Sequence, residues 1–276
     1  MKLTAKPLAV ILVFIAFGSS TGLSGEKPIV SVQFESTVIG EYATDAFRKE
    51  WPTVDWVSLY DRAHIVQDQD ARRGKVLQIS YPKGAVGPKD GGGQFVAVLP
   101  PSEELWLSYY VKFEMGFDFR LGGKLPGLTS GGSKYTGGNK PANGEGWSAR
   151  FMWREGGRAV VYLYHVEMTG QWGDDLALMN SVFTPGTWHK FTQHIKVNSE
   201  DGSNGVLEVW FDNEKVLSRS DIRFRIGKQG LIDSMYFSTF HGGNTKDWAP
   251  QNDSFAYFDN FVVSREPLVD STANGK

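Results

Sequence analysis

The segment 147–164, WSARFMWREGGRAVVYLY, sets Ser148 and Arg150 two residues apart and Tyr162 and Tyr164 two residues apart. Side chains alternate between faces along an extended chain, so each pair points to one side of its strand. A guanidinium that can hold a carboxylate, a hydroxyl, and two phenols able to pass a proton are the groups required for acid–base chemistry on an acidic sugar. Whether the pairs meet depends on the turn between them. A three-residue loop, Glu155-Gly156-Gly157, places Arg150 opposite Tyr162 and Ser148 opposite Tyr164, whereas a two-residue Gly156-Gly157 turn splits the four between faces. Both turns are compatible with the sequence; the three-residue loop, with glycine at its left-handed position, is the one expected here. The same pattern also suits an ordinary half-exposed sheet, because tyrosine has high β-propensity, so alternation alone does not establish a site.

The elements that must position these groups are strands. The chain has 276 residues, of which 41% are hydrophobic, enough for one large core, and all-β domains of this size are commonly single. Nine tryptophans, ten tyrosines and eighteen phenylalanines fall in short alternating segments among 32 glycines, which favours sheets over helices. Strands are expected at 29–35, 76–81, 94–99, 105–114, 146–154, 158–166, 187–197, 205–212, 215–220, 231–240 and 255–264, with a short helix at 42–50 ending before Pro52. Eleven short strands with turn-rich joints predict an all-β, single-domain, two-sheet β-jelly roll or sandwich over 25–265.

Outside that domain, Lys2 and Lys6 precede the apolar run 7–17, and small residues follow; 1–24 reads as a secretory signal, and 266–276 as a polar tail. The run is shorter than the roughly 20 residues a membrane helix needs, so no membrane association is expected once the signal is removed. Without those two lysines the 29 basic residues fall to 27 against 31 acidic, a formal charge of −4, which gives nucleic acid no general attraction. Any polyanion site is therefore local. The chain has no cysteine, which removes disulfides, thiol nucleophiles and sulfur-rich zinc sites. Its five histidines lack HExxH spacing, so neither a catalytic transition metal nor another cofactor is expected.

In 146–154 the residues Trp147, Ala149, Phe151 and Trp153 alternate against Ser148, Arg150, Met152 and Arg154. In 105–114 Leu107, Tyr109, Val111 and Phe113 oppose Ser108, Tyr110, Lys112 and Glu114. One face in each is core and the other polar with aromatics, a surface on which sugars stack, which makes Tyr110 and Lys112 candidate substrate contacts.

Four separated motifs, GGKLPGL at 122–128, GWSARFMW at 146–153, VVYLYH at 160–165 and YFSTFHGG at 236–243, together resemble polysaccharide lyase family 14, the alginate and glucuronan lyases with a β-jelly-roll fold. The likeness spans roughly 105–263 and includes the PGTWHKF and LEVWFDN segments. It implies a secreted, metal-independent lyase, a concanavalin A-like sandwich, acting as a monomer on an acidic polysaccharide. Lys124, Ser148, Arg150, Tyr162 and Tyr164 stand where the family carries its catalytic residues. His241 departs from the pattern, which has another aromatic before the glycine pair.

Those residue types suit β-elimination on a 4-linked uronate. The proton on carbon 5 is only weakly acidic while the adjacent carboxylate keeps its charge, so Arg150 would neutralise that carboxylate, with Ser148 and Lys124 as further partners of the developing enolate. Tyr162, Tyr164 and Lys124 are the candidates for base and acid, and the sequence does not divide the roles among them. The glycine-rich segment 129–146 is expected to be a loop that closes over substrate through Lys134, Tyr135 and Lys140. His241, near a strand end, is a further candidate contact, whereas His165, His189 and His194 are expected to be structural. A hydrolase needs two carboxylates flanking the bond, but Asp212 and Glu214 fall at a hairpin turn, and Glu208 has no acid one alternation away on its strand face. A non-catalytic carbohydrate-binding module would need the aromatic face without Lys124, Arg150 and both tyrosines.

Overall fold

The computed structural model describes residues 26–70 and 74–269; the expected signal and tail residues 270–276 lie outside them. Among the described residues there are sixteen strands: β1 Val30–Val32, β2 Gly40–Glu41, β3 Val54–Ser58, β4 Ala63–Gln67, β5 Lys75–Tyr81, β6 Gly93–Ser102, β7 Glu104–Phe113, β8 Gly122–Ser130, β9 Trp147–Arg154, β10 Arg158–Tyr164, β11 Asp174–Val182, β12 Trp188–Lys196, β13 Gly205–Phe211, β14 Glu214–Ile222, β15 Ile232–His241 and β16 Ser254–Ser264. The one α-helix among the described residues, α1, is Thr44–Glu50. A nine-stranded sheet runs β14-β13-β12-β7-β16-β5-β4-β2, with β1 on β16, and a seven-stranded sheet runs β11-β10-β9-β8-β15-β6-β3. This is the expected two-sheet jelly roll, and neighbouring strands pair antiparallel throughout.

The inward faces of both sheets meet in one apolar cluster that includes Trp51, Trp147, Trp153, Phe95, Phe113 and Phe151. Phe151 of β9 stacks on Phe191 of β12 with 4.0 Å between ring centroids, tying one sheet to the other. Trp147, Ala149, Phe151 and Trp153 therefore belong to the core, and the alternate residues of β9 turn outward from it.

Each of the eleven expected strand segments overlaps an observed strand. The five unexpected ones have physical reasons. β2 has two residues, too few to display a period, and β3 and β4 have five each, an alternation of little more than two repeats. β11 borders the seven-stranded sheet and is largely exposed, so its sequence lacks an apolar alternation. β8 reads as punctuation because it contains Gly122, Gly123, Pro126 and Gly127. Pro126 lies where the register between β8 and β9 shifts, a bulge that needs no ladder donor from it, and its carbonyl accepts a hydrogen bond from the Tyr109 hydroxyl at 3.1 Å. Thr129 and Ser130, expected to open the loop, belong to β8.

Candidate active site

The turn between β9 and β10 is the three-residue one. Gly156 and Gly157 take φ of 69° and 78°, the left-handed region that a Cβ disfavours. Tyr162 consequently pairs with Arg150, and Tyr164 with Ser148. The outward face of the seven-stranded sheet there forms a cleft of about 670 Å³. Its floor is laid by successive strands: Gln94 from β6, Tyr236 and Phe240 from β15, Lys124 from β8, Arg150 and Arg154 from β9, Tyr162 and Tyr164 from β10, and Asp175 from β11. Thr136 and Gly137 come from the segment after β8, and Trp172 and Trp248 from the loops after β10 and β15.

Arg150 is 2% exposed, and its guanidinium crosses β8 to reach β15, where Nη1 donates to Ser238 Oγ at 2.8 Å. The residue opposite it on β8 is Gly127, where a Cβ would lie 2.3 Å from the Ala149 carbonyl oxygen, so strand packing admits only glycine. The guanidinium also lies 5.2 Å from the centroid of the Tyr236 ring, whose hydroxyl donates to Gln94. The Nε of Arg150 is buried without a protein partner among the described residues.

Lys124 is half-buried, with Nζ donating to the Met152 thioether at 3.0 Å and lying 4.1 Å from the centroid of the Tyr162 ring. Burial, reinforced by Arg150 and Arg154, holds its amine well below the usual lysine range, and Asp175 only partly opposes this. The Tyr162 phenol moves the other way: burial and the neighbouring Tyr164 raise it above the usual tyrosine value against the pull of Arg150 and Arg154. A lysine inclined to be neutral thus lies against a tyrosine inclined to stay protonated. The Tyr162 and Tyr164 rings meet edge to face at 5.5 Å, and the Tyr164 oxygen accepts a hydrogen bond from the Gly138 backbone N–H at 3.0 Å.

Four of the five expected catalytic residues therefore line one cleft. Ser148 does not: it is fully buried, and its hydroxyl donates to the Tyr135 carbonyl at 2.7 Å, so it anchors the segment following β8. The six expected contacts are placed elsewhere. Tyr110 and Lys112 lie on β7 in the other sheet, where Lys112 is buried against Asp68 and faces the Trp188 and Tyr257 rings. Alternation identified their polar face correctly but could not tell which sheet carried it. Lys134 pairs with Glu145 at 3.5 Å, and the buried Tyr135 donates to that carboxylate at 3.2 Å. Lys140 donates to the Thr169 carbonyl at 3.2 Å, so the cations of this segment tie it down while Thr136 and Gly137 face the cleft. His241 is 2% exposed, stacks on Phe117, meets Tyr81 and Trp153 edge-on and bonds the Asp118 carbonyl at 2.7 Å. Burial lowers its pKa, and its imidazole packs among the rings of the core.

Sequence reasoning passed over Gln94, Arg154, Asp175, Tyr236 and the two tryptophans. Arg154 lay in view, since it shares the outward face of β9 with Arg150; Tyr236 stood in a quoted motif without a role. Asp175 and Trp172 lie in or beside the strand that had no apolar period.

A family profile described as Polysaccharide lyase 14 matches residues 69–261. Among solved structures, alginate lyase Aly36B aligns at 26% identity and a TM-score of 0.74, over 88% of this chain and 99% of that one. The marine PL-14 alginate lyase from Aplysia kurodai aligns at 24% identity and a TM-score of 0.73, over 86% of this chain and 99% of that one. The endo-β-1,4-glucuronan lyase from the fungus Trichoderma reesei shares the fold at 12% identity and a TM-score of 0.53, over 83% of this chain and 95% of that one. No curated protein sequence matches the chain. The profile covers most of the chain, including every strand that lays the floor of the cleft, and on that ground this protein belongs to polysaccharide lyase family 14.

Proposed function

We propose that the protein is an exported enzyme that cleaves a 4-linked polyuronate, such as alginate or glucuronan, by β-elimination, with Lys124 as base and Tyr162 as acid. The observation that carries this reading is the Lys124 amine, depressed by burial, 4.1 Å from the ring of a tyrosine raised by burial. A neutral amine accepts a proton and a protonated phenol supplies one, the division of roles that elimination requires. Arg150, which lines the cleft, neutralises the carboxylate and so acidifies the neighbouring carbon-5 hydrogen. Lys124 takes that proton, the bond between carbon 4 and the glycosidic oxygen breaks, its electrons going to that oxygen, and a 4,5 double bond forms. Tyr162 protonates the departing oxygen. Tyr164, held by the Gly138 amide, packs against Tyr162 and fixes its ring.

The solved relatives support the substrate class. Aly36B holds an alginate tetrasaccharide in a variant with a lysine and a tyrosine replaced by alanine, and an alginate trisaccharide in one with a lysine and a methionine replaced. That lysine and methionine have the same separation in sequence as Lys124 and Met152. Export rests on the basic and apolar segment at 1–24; no helix of the described residues is long and apolar enough to cross a membrane. The test is to incubate the protein with polymannuronate, polyguluronate and glucuronan and follow the ultraviolet absorbance of the 4,5-unsaturated uronate. New reducing ends without that chromophore would indicate hydrolysis, and tight binding without either product would indicate a binding module.

A further inference from the structure

Under the proposed elimination, on which this inference rests, Tyr162 stands at the glycosidic oxygen, so groups on its two sides meet consecutive sugars. Tyr162 pairs with Arg150 on β9 and with Asp175 on β11, which sets the order Asp175, Tyr162, Arg150 across the sheet. The Arg150 guanidinium leans away from Tyr162 toward Ser238 on β15. Arg154 leans in the opposite direction, over β10, where its Nε donates to Asp175 Oδ2 at 2.8 Å and its Nη2 donates to Oδ1. Its guanidinium carbon lies 5.6 Å from the centroid of the Tyr162 ring and 6.0 Å from that of Trp248. Asp175 thus holds the guanidinium fork in one orientation through two of its N–H groups and leaves both donors of Nη1 to a ligand. Two guanidinium groups, Arg150 and Arg154, share this part of the cleft, and Asp175, the one acid among its lining residues, engages only Arg154. Leaning to opposite sides of Tyr162, each can take the carboxylate of a different sugar.

We propose that Arg154 binds the carboxylate of the uronate on the leaving side of the scissile bond, so that the enzyme selects two consecutive uronates rather than a single uronate beside a neutral sugar. Arg154 is then a specificity-determining residue, and Asp175 positions it.

The test uses a polyuronate whose carboxyl groups have been reduced at random to neutral hexoses, digested by the full-length protein. Mass spectrometry reads the sugar at each newly formed reducing end, which is the leaving-side residue. The wild-type enzyme should release fragments ending almost entirely in uronate. Arg154→Gln should release uronate and hexose ends in proportion to their abundance, with kcat/KM on the unreduced polymer lowered about 10- to 100-fold, as the loss of a charge-assisted hydrogen bond implies. Arg154→Lys, which keeps the charge and loses the fork, should retain part of the bias and guards against a Gln variant that folds poorly. Chromophore formation with no bias in the wild type, or with the same bias in Arg154→Gln, overturns the inference and leaves the elimination standing. Absence of the chromophore from every polymer overturns the elimination itself.

Discussion

Replacing Ser148 with alanine separates an anchor from a catalytic group. The Ser148 hydroxyl is fully buried, and its hydrogen bond to the Tyr135 carbonyl spans 2.7 Å. Alanine removes the donor and leaves a carbonyl without this partner in a closed environment, which costs about 1–3 kcal/mol. For a chain of this length each kcal/mol moves the melting temperature by about 2–4 °C, so Ser148→Ala should melt about 2–12 °C lower than the wild type. The segment it anchors presents the Gly138 N–H to Tyr164, so activity should also fall, but by less than about tenfold, because no proton-transfer group is lost. Calorimetry and initial rates on the preferred polyuronate measure the two quantities. An unchanged melting temperature together with a kcat lowered by about 100-fold or more would place Ser148 against the reacting sugar and refute the anchoring role.

Four further outcomes follow from the cleft. Tyr162→Phe keeps the ring that packs against Tyr164 and removes the acid, so kcat should fall by about 10²- to 10⁴-fold while the polymer is still bound; near-native turnover would exclude Tyr162 as acid. Arg150→Ala should lower kcat/KM by about 10²-fold or more, and Arg150→Lys should recover only part of this, since an ammonium does not reproduce the fork that reaches Ser238 and the carboxylate together. Activity should rise with pH as Lys124 loses its proton, over a range below that of an ordinary lysine, and should persist on the alkaline side because Tyr162 keeps its proton above the usual tyrosine value. Arg154 is one of the charges that lowers Lys124, so Arg154→Gln should move the rising limb to higher pH; a shift to lower pH would show that Lys124 is not the titrating base.

Alternation carried the sequence reading where one face of a strand is core. It separated the buried Trp147, Ala149, Phe151 and Trp153 from the outward Ser148 and Arg150, and the glycine pair fixed the register that brings Arg150 to Tyr162. Alternation has no information on which sheet a polar face belongs to, and for that reason Tyr110 and Lys112, outward on β7, read like cleft residues. Nor does it report the partners a side chain finds in three dimensions. Lys134 and Lys140 look like free cations in a glycine-rich segment, yet a carboxylate and a carbonyl hold them. His241 ends a strand in the sequence, but the loop carrying Phe117 and Asp118 folds over it and turns its ring into the core. Each of these placements depends on contacts between segments distant in sequence.

The strand hardest to read in the sequence is also the one on which the site depends. Gly122, Gly123, Pro126 and Gly127 would each weaken an isolated strand, through backbone freedom or a missing donor. Between β9 and β15 they do something else. Pro126 lies at a bulge that shifts the register against β9, and Gly127 then stands opposite Arg150 with no room for a side chain. The guanidinium crosses at that gap to Ser238, while Lys124, on the other side of the bulge, reaches the ring of Tyr162. A regular strand with ordinary side chains would place a Cβ where β9 passes and would hold Arg150 and Lys124 in an uninterrupted register. The residues that make β8 a poor strand therefore open the gap through which the Arg150 guanidinium reaches Ser238 and set the Lys124 amine against Tyr162.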